Sequence, residues 1–390
     1  MIYTLTMKGY GADSMGKTAQ TLMPFFMALA LALLVPVAAG TAPRPETVRV
    51  AVLKGVDQVR IEGTGLLVTD SRGTQLRLTP PLQLKADRKR VTVNGRPVEA
   101  LSISIPVMAL VNGKGYRSSL SITAEDRGLL VVNELPLEEY LVGLINSEIS
   151  STWPLEAIKA QAVIARTYAL YQKEARKTAR YHLEATVSDQ VYHGAHAEDD
   201  RAAEGVKETS GETLIYNGVP AQTFFHANCG GHTEAADQVW SGKIPYLAGV
   251  PCRYCLDTPT AAWEVTLPLA KIEGLLKSGG VAVAGLRGLE AGPRNESGRL
   301  TSLRLKTDGV PQELAATAFR KALGTTVIRS TGFEVTVADD QARFKGTGYG
   351  HGVGLCQWGA RGRAAEGFSY REILEYYYPG TVLKKPVDVL

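Results

Sequence analysis

Residues 135–168 read LPLEEYLVGLINSEISSTWPLEAIKAQAVIARTY. The first part of this stretch carries apolar residues at helical spacing: Leu137, Leu141, Leu144 and Ile145. That spacing predicts a helix. Pro154 is placed to start a second, alanine-rich helix, because proline suits the first turn. A short polar link, residues 146–153, joins the two helices and contains Glu148.

The sequence on either side of these helices has the pattern of β-strands. Residues 47 to about 132 contain short apolar runs broken by Gly, Asp and Pro. Alternating apolar and polar residues within the runs predict strands, and Asn94-Gly95 predicts a hairpin turn. Strand patterns return after Thr213, whereas residues 274–300 are rich in Gly, Ser and Arg and predict a loop or insertion.

Strands and helices are segregated along the chain rather than alternating regularly, and this predicts an α+β fold. We expect a β-rich N-terminal lobe, residues 43–132, packed against a lobe of mixed helices and strands, residues 133–390. The second lobe includes the insertion near residues 274–300. A substrate groove is expected between the two lobes.

The N-terminal 42 residues have the features of a targeting segment. Lys8 and Lys17 precede an apolar run from Leu22 to Ala39 that ends in small residues. This pattern predicts a secretory signal peptide, with an uncleaved anchor that contacts the membrane as the alternative. In both cases the rest of the chain is predicted to work outside the cytoplasm.

The composition excludes several classes of protein. The 390 residues are 45% hydrophobic and 21% charged, with a formal net charge of +4, as in a globular chain. The small basic excess is spread along the sequence, so no nucleic-acid partner is expected. The motifs HExxH, GxSxG, GxxxxGK[ST] and GxGxxG are missing from the sequence, which argues against zincins, serine hydrolases and nucleotide-dependent enzymes.

Glu148 is the first candidate for chemistry. A carboxyl group at the end of a helix, with Ile149 and Trp153 nearby in sequence, could lie in a partly apolar cleft. Such a cleft would raise its pKa toward that of a general acid. The alternative from the residues alone is a glutamate that caps a helix or forms a salt bridge beside Pro154.

The segment 346–354 has glycine at every other position. If this segment is extended, one of its faces lacks side chains, so that either a ligand or another part of the chain can approach closely. The following Gln357 and Trp358 would add a polar group and an aromatic surface for sugars.

Three cysteines and one histidine form a candidate metal site. His226-x2-Cys229 and Cys252-x2-Cys255 have spacings typical of structural zinc. A disulfide between Cys229 and either Cys252 or Cys255 is the alternative in an exported protein. Cys356 is expected to be a buried free thiol.

Many of these residues belong to motifs that occur in a known order. The chain resembles the SpoIID/LytB family of bacterial cell-wall proteins from about residue 48 to 383. The matching motifs are LPLEEYL (135–141), Glu148, Trp153-Pro154, AIKAQAV (157–163), ARTYAL (165–170), DQVY (189–192), Phe225-His226, Gly230-Gly231, Val239-Trp240, PYL (245–247), GYGHGVG (348–354) and YYYPG (376–380).

The resemblance implies an exported peptidoglycan lytic transglycosylase. Such an enzyme cleaves the bond between N-acetylmuramic acid and N-acetylglucosamine, prefers strands without peptides and leaves 1,6-anhydro ends. The family's catalytic acid corresponds to Glu148. One carboxyl group suffices because the C6 hydroxyl of the substrate is the nucleophile, whereas ordinary glycosidases use two carboxyl groups.

The resemblance also implies a substrate-binding set and no cofactor for the chemistry. By analogy the residues that would bind substrate are Tyr168, Gln190, Tyr192, His226, His351, Gln357 and Arg166. Some family members bind zinc just before the Gln-x-Tyr motif, but residues 182–189 lack thiols here. Any structural zinc would therefore be held by His226, Cys229, Cys252 and Cys255.

Two other functions remain open at this point. One is a non-catalytic protein that recruits or activates an N-acetylmuramoyl-L-alanine amidase, with the same groove binding glycan strands without cutting them. The other is a zinc-dependent wall hydrolase, which would need an open coordination position that the four residues do not obviously provide.

Overall fold

The computed structural model describes residues 45–385. The predicted signal peptide or anchor, residues 1–42, lies outside this range. Within it, no helix combines the length and the apolar character needed to cross a bilayer. The described elements are strands and helices in mixed order, which confirms the α+β fold.

The N-terminal part of the chain forms a large, mainly antiparallel sheet. Along the strand Ala100–Val111, Leu101, Ile103 and Ile105 are buried while the residues between them are exposed, so one face of the sheet covers a core. Asn94 and Gly95 have φ angles of 47° and 81° and join two paired strands, which confirms the predicted hairpin. The strands are β1 (Thr47–Val56), β2 (Gln58–Glu62), β3 (Leu67–Asp70), β4 (Gln75–Leu76), β5 (Leu82–Asp87), β6 (Arg90–Val93), β7 (Arg96–Val98), β8 (Ala100–Val111), β9 (Lys114–Glu125) and β10 (Gly128–Pro136).

The two predicted helices follow the sheet directly and are confirmed. The second of them is buried on all sides, since every residue from 160 to 169 lies in the interior. The elements of this part are α1 (Leu137–Glu148), α2 (Leu155–Ala175), β11 (Leu183–Glu184), α3 (Asp200–Glu208), β12 (Thr213–Tyr216), β13 (Val219–Pro220) and β14 (Phe225–His226). Strand β11 pairs with β1 in parallel and completes an 11-stranded sheet.

The next part of the chain is a subdomain with its own hydrophobic core, centred on Phe319, Phe333 and Phe344. Its elements are β15 (Ala262–Pro268), α4 (Leu269–Ser278), β16 (Leu286–Ala291), β17 (Ser302–Thr307), β18 (Gln312–Ala315), α5 (Ala316–Leu323), β19 (Phe333–Ala338) and β20 (Gln341–Thr347). Residues 274–300 are therefore not a loop, because they include the end of α4 and all of β16. Their interpretation as an insertion stays a prediction. Gly274 lies within α4 and Gly288 within β16, whose residues Leu286 and Leu289 are buried in the subdomain core.

The chain then returns to the second helix. The last elements are β21 (Leu355–Cys356), α6 (Gln357–Ala365), α7 (Tyr370–Tyr377) and β22 (Val382–Lys384). Strand β21 pairs in parallel with β14, and β22 pairs with β12. One side of α2 packs in the core beneath the large sheet, and Ala160, Val163 and Ile164 pack in a second core with α6 and α7.

Arg166 is the charged group at the centre of this packing. Its side chain is 1% exposed and forms a bidentate pair with Glu138, with N–O distances of 2.8 and 2.7 Å. It also donates to the backbone oxygens of Glu212 and Val206. Arg166 therefore ties α2 to α1, α3 and the start of β12.

Arg166→Ala is expected to lower the free energy of unfolding by about 3 kcal/mol, because it leaves a carboxylate and two buried carbonyls without their donor. Arg180→Ala is the control, since Arg180 pairs with Glu125 on the surface at 3.2 Å. Its loss should stay below about 0.5 kcal/mol. Urea unfolding of the three proteins measures both values, and equal midpoints for the two variants would contradict the central role of Arg166.

Candidate active site

Glu148 lies in a groove with a volume of about 650 Å³. The groove is lined by the end of α1, by α2 and by loops around residues 187–191 and 223–227. Residues 320–326 of the subdomain and the loop 349–351 that follows it also line the groove. No described residue that lines it comes from the N-terminal sheet, so the predicted position between the two lobes is wrong. The inner face of the sheet is instead covered by α1 and α2.

The surroundings of Glu148 favour its protonated form. Oε1 accepts a hydrogen bond from the backbone N–H of Val191 at 2.7 Å. Burial raises the pKa of the carboxyl group to about 7, although this hydrogen bond acts in the opposite direction. Glu148 takes part in none of the salt bridges found within residues 45–385. The alternative of a helix cap or salt bridge is therefore not what the structure contains.

Asp189 is the other carboxylate among the described residues that line the groove. Arg176 donates to both of its oxygens, at 2.6 and 3.1 Å. The Tyr168 hydroxyl and the backbone N–H of Glu184 donate to it as well. With these donors in place, Asp189 serves to hold Tyr168 and the 184–191 loop. In the sequence, Asp189 is marked only by its position in the DQVY motif beside Gln190.

Two neutral histidines form another part of the wall. Burial and the charges of Arg320 and Arg299 lower the pKa of His351 to about 3. Burial also lowers the pKa of His226. Nδ1 of His226 lies 3.1 Å from the Val353 oxygen and must donate to it, which leaves Nε2 as an acceptor. That buried Nε2 has no hydrogen-bond partner among the described residues.

Of the predicted substrate-binding residues, Tyr168, His226, His351 and Gln357 line the groove with Glu148. Gln357 begins α6 and its amide lies 3.4 Å from Oε1 of Gln161 on α2. Tyr168, His226 and Gln357 are thus held by helices or a strand, whereas His351 lies in the loop between β20 and β21. Regular elements favour a fixed geometry for the first three.

Gln190, Tyr192 and Arg166 do not line the groove, and their prediction is corrected. Gln190 is buried and binds the Tyr140 hydroxyl and the Ala165 oxygen. Tyr192 is buried against Tyr140, with ring centroids 5.0 Å apart. Arg166 has the structural contacts described above. Each of these polar residues is buried and has its own hydrogen-bond partners in the interior; that of the Tyr192 hydroxyl is Asn133.

Trp240 is the aromatic residue that the groove presents to a ligand. Its side chain is 40% exposed, and its ring lies 4.4 Å from that of Phe224 and 5.0 Å from that of His351, centroid to centroid. Trp358, the predicted aromatic surface, instead stacks on Trp153 at 4.9 Å outside the groove lining. The Val239-Trp240 motif was the signal that could have identified Trp240.

The glycines of 346–354 serve packing within the chain. Gly348, Gly350, Gly352 and Gly354 all have positive φ, so the segment is not an extended strand with a bare face. A Cβ at Gly354 would lie 2.0 Å from the Phe224 oxygen, and one at Gly350 would lie 2.6 Å from Cβ of His226. At Gly350 and Gly354 the close approach is therefore made by residues 224–226 of the chain itself.

All four cysteines of the described chain are buried free thiols. Cys229, Cys252, Cys255 and Cys356 place their sulfurs within 4.8 Å of one another. The predicted metal set is corrected in one position, because Cys356 joins the three cysteines and His226 faces the groove instead. His182, in the segment without thiols, contacts Arg49.

Comparisons with known proteins identify two regions. Residues 125–216 match a model described as SpoIID, stage II sporulation protein. Residues 257–354 match a domain of unknown function, DUF8618. This range contains the subdomain whose core is centred on Phe319, Phe333 and Phe344.

Three relatives illustrate the similarity. An uncharacterized protein of Brachyspira hyodysenteriae is 35% identical over 272 residues, covering 69% of this chain and 72% of the relative. The amidase enhancer of Bacillus subtilis is 31% identical over 62% of this chain, which spans 40% of that protein. Stage II sporulation protein D of Bacillus subtilis is 29% identical over 65% of this chain and 76% of the relative.

The ionisation of Glu148 should be visible in the stability of the protein. A folded-state pKa of about 7, above the ordinary glutamate value of 4.5, means that the folded protein holds this proton more tightly than the unfolded chain. Stability is therefore lost as the pH rises through this interval. Between pH 5 and 8, wild type should lose about 2–3 kcal/mol that Glu148→Gln does not lose.

Urea unfolding at a series of pH values measures this difference. Glu139→Gln, on the exposed side of α1, is the matched control and should follow the wild-type curve. Parallel curves for Glu148→Gln and wild type would contradict the raised pKa.

Gly350→Ala is expected to destabilise the groove wall, because φ is +121° and the added Cβ meets His226. Gly367→Ala is the control, since its φ is +92° with no heavy atom within 4 Å of the added carbon. We expect losses of about 3 kcal/mol and about 1 kcal/mol, respectively. Equal losses in urea unfolding would show that backbone strain alone, without crowding, accounts for the effect.

Proposed function

Because the chain belongs to the SpoIID/LytB family, we propose that it acts on the bacterial cell wall as an exported peptidoglycan lytic transglycosylase. It would cleave between N-acetylmuramic acid and N-acetylglucosamine and leave 1,6-anhydro ends. The observation that carries the proposal is the unpaired carboxyl group of Glu148, with a pKa of about 7, inside the groove.

The proposed reaction uses this group twice. At neutral pH a large fraction of Glu148 is protonated, so it can donate its proton to the glycosidic oxygen as that bond breaks. The resulting carboxylate then accepts the proton of the muramoyl C6 hydroxyl while the oxygen of that hydroxyl bonds to C1. The carboxyl group is regenerated and no water is consumed, as general acid–base catalysis with one group requires.

The hydrogen bonds that Asp189 accepts support this mechanism over ordinary hydrolysis. A hydrolase of the usual kind needs a second carboxylate as nucleophile or base. Asp189, the second carboxylate in the groove, accepts hydrogen bonds from Arg176, Tyr168 and Glu184. A substrate hydroxyl can supply the missing nucleophile.

Two further groups suit a glycan without peptides. Trp240 and Phe224 offer an aromatic surface for the apolar face of a sugar ring, as is common in ligand sites. Arg320 lines the same groove. Its charge can pair with the lactyl carboxylate of a muramoyl residue, which becomes free only when the stem peptide has been removed.

A second function is favoured by the amidase enhancer, which is 31% identical over 62% of this chain. In that case the groove would bind glycan strands without cutting them, and the protein would recruit or activate a cell-wall amidase. Neither function requires a cofactor for chemistry.

The test is to incubate peptide-free glycan strands with the purified full chain and analyse the products by mass spectrometry. We expect anhydromuramoyl products from wild type, a loss of at least about 100-fold in Glu148→Gln, and no loss in Glu139→Gln. Wild-type activity should decline as the pH rises above about 7, because the acid form of Glu148 is depleted.

A binding assay on the same strands separates the two functions. Retained binding by Glu148→Gln together with lost cleavage supports the catalytic role. If no protein cuts the strands but wild type and Glu148→Gln both bind them and increase the activity of an amidase, the enhancer function replaces the proposal.

A further inference from the structure

The four cysteines form a compact group that neither the catalytic proposal nor the matched families explain. Cys229, Cys252, Cys255 and Cys356 are buried, and their sulfurs all lie within 4.8 Å of one another. Zinc binds thiolates at about 2.3 Å, so four sulfurs around one tetrahedral ion are about 3.8 Å apart. The observed group has the size and the donor set of such a site.

Two of the four sulfurs, those of Cys356 and Cys252, have N–H or O–H groups next to them. The backbone N–H groups of Cys229 and Gly359 each lie 3.3 Å from Sγ of Cys356 and point to it. The Tyr377 hydroxyl lies 3.1 Å from Sγ of Cys252. Hydrogen bonds of this kind orient metal-bound ligands and offset their negative charge. Neither a disulfide nor a packed neutral thiol needs several donors around it.

Two neighbours add to this environment. The Arg299 guanidinium is buried and donates to the Cys229 oxygen at 2.9 Å, which brings a positive charge close to the sulfurs. Gly359 leaves room for the group, since a Cβ there would lie 2.4 Å from Sγ of Cys252. The chain is therefore shaped around four sulfurs that come from three separate segments.

The group is next to the groove through two short strands. Cys356 ends β21 and precedes Gln357, while β14 contains His226, three residues before Cys229. The two strands pair with His226 opposite Cys356. A bond from one ion to Cys229 and to Cys356 would lock this pairing and with it the positions of His226 and Gln357.

We propose that Cys229, Cys252, Cys255 and Cys356 bind one zinc ion in a closed, structural site that fixes the groove wall. Four protein ligands leave no open position for substrate or water. The ion therefore positions groove residues and takes no part in cleavage. This distinguishes the site from that of a zinc-dependent hydrolase.

The first measurement uses the wild-type full chain, purified without chelators. Elemental analysis should find one zinc per chain. After denaturation without reductant, four cysteines should react with an alkylating agent, because none is in a disulfide. Iron in place of zinc, absence of metal, or cysteines that react only after reduction would each overturn the proposal.

Variants then test the ligand set. Cys356→Ser should lose the zinc, whereas Cys356→His should retain it, because imidazole can replace a thiolate. Val353→Ala is the control for general destabilisation, since Val353 is fully buried in the same core but offers no ligand, and it should keep one zinc. Zinc retained in full by Cys356→Ser would contradict the assignment of Cys356.

Failure of the zinc site and failure of the catalytic proposal are separate results. Glu148→Gln should keep one zinc per chain while losing cleavage. If Cys356→Ser does not fold, the metal content and thiol state of the wild type still decide the question.

Discussion

The burial of α2 is the constraint on which the rest of the structure depends. A helix segment enclosed on all sides needs mainly small or apolar residues and a partner for each polar one. Residues 160–169 are mainly alanine and aliphatic side chains, and the buried Arg166 has the partners described above. Ile158 and Ala162 face the core beneath the large sheet, and Val163 and Ile164 face the core of α6 and α7. The groove residue Tyr168 therefore sits on an element that cannot move without opening two cores.

The groove gives opposite environments to its two carboxyl groups. Burial raises the pKa of Glu148, and its single N–H donor, which acts in the opposite direction, does not cancel this effect. Asp189 lies two residues before Val191, whose N–H donates to Glu148. Asp189 itself accepts hydrogen bonds from Arg176 and Tyr168. Different surroundings for two groups of the same chemical type are a common way in which proteins assign an acid and a structural carboxylate. The polar residues Gln190, Tyr192 and Arg166 are buried and hydrogen-bond to other interior groups.

The sequence was sufficient for features that depend on local patterns. The two helices, the Asn94-Gly95 hairpin and the placement of Glu148 at a helix end follow from periodicity and turn chemistry. It was insufficient for features that depend on contacts between residues far apart in the sequence. Cys356 joins the cysteine group only because β21 pairs with β14, and the subdomain at 257–354 forms its own core from strands that are weakly marked. Motif residues such as Arg166 were assigned to the groove because a motif cannot tell a ligand contact from a buried structural contact.

The pairing of β14 with β21 also has a consequence for folding. The whole 257–354 subdomain lies between these two strands in sequence, so their contact is among those of high sequence separation, which form late. During synthesis from the N terminus, residues 225–226 have no partner strand until residues 355–356 have emerged. The helix that carries Glu148 can form early, but the walls around it are completed only near the end of the chain. A truncated or partly made protein therefore has the acid without the groove.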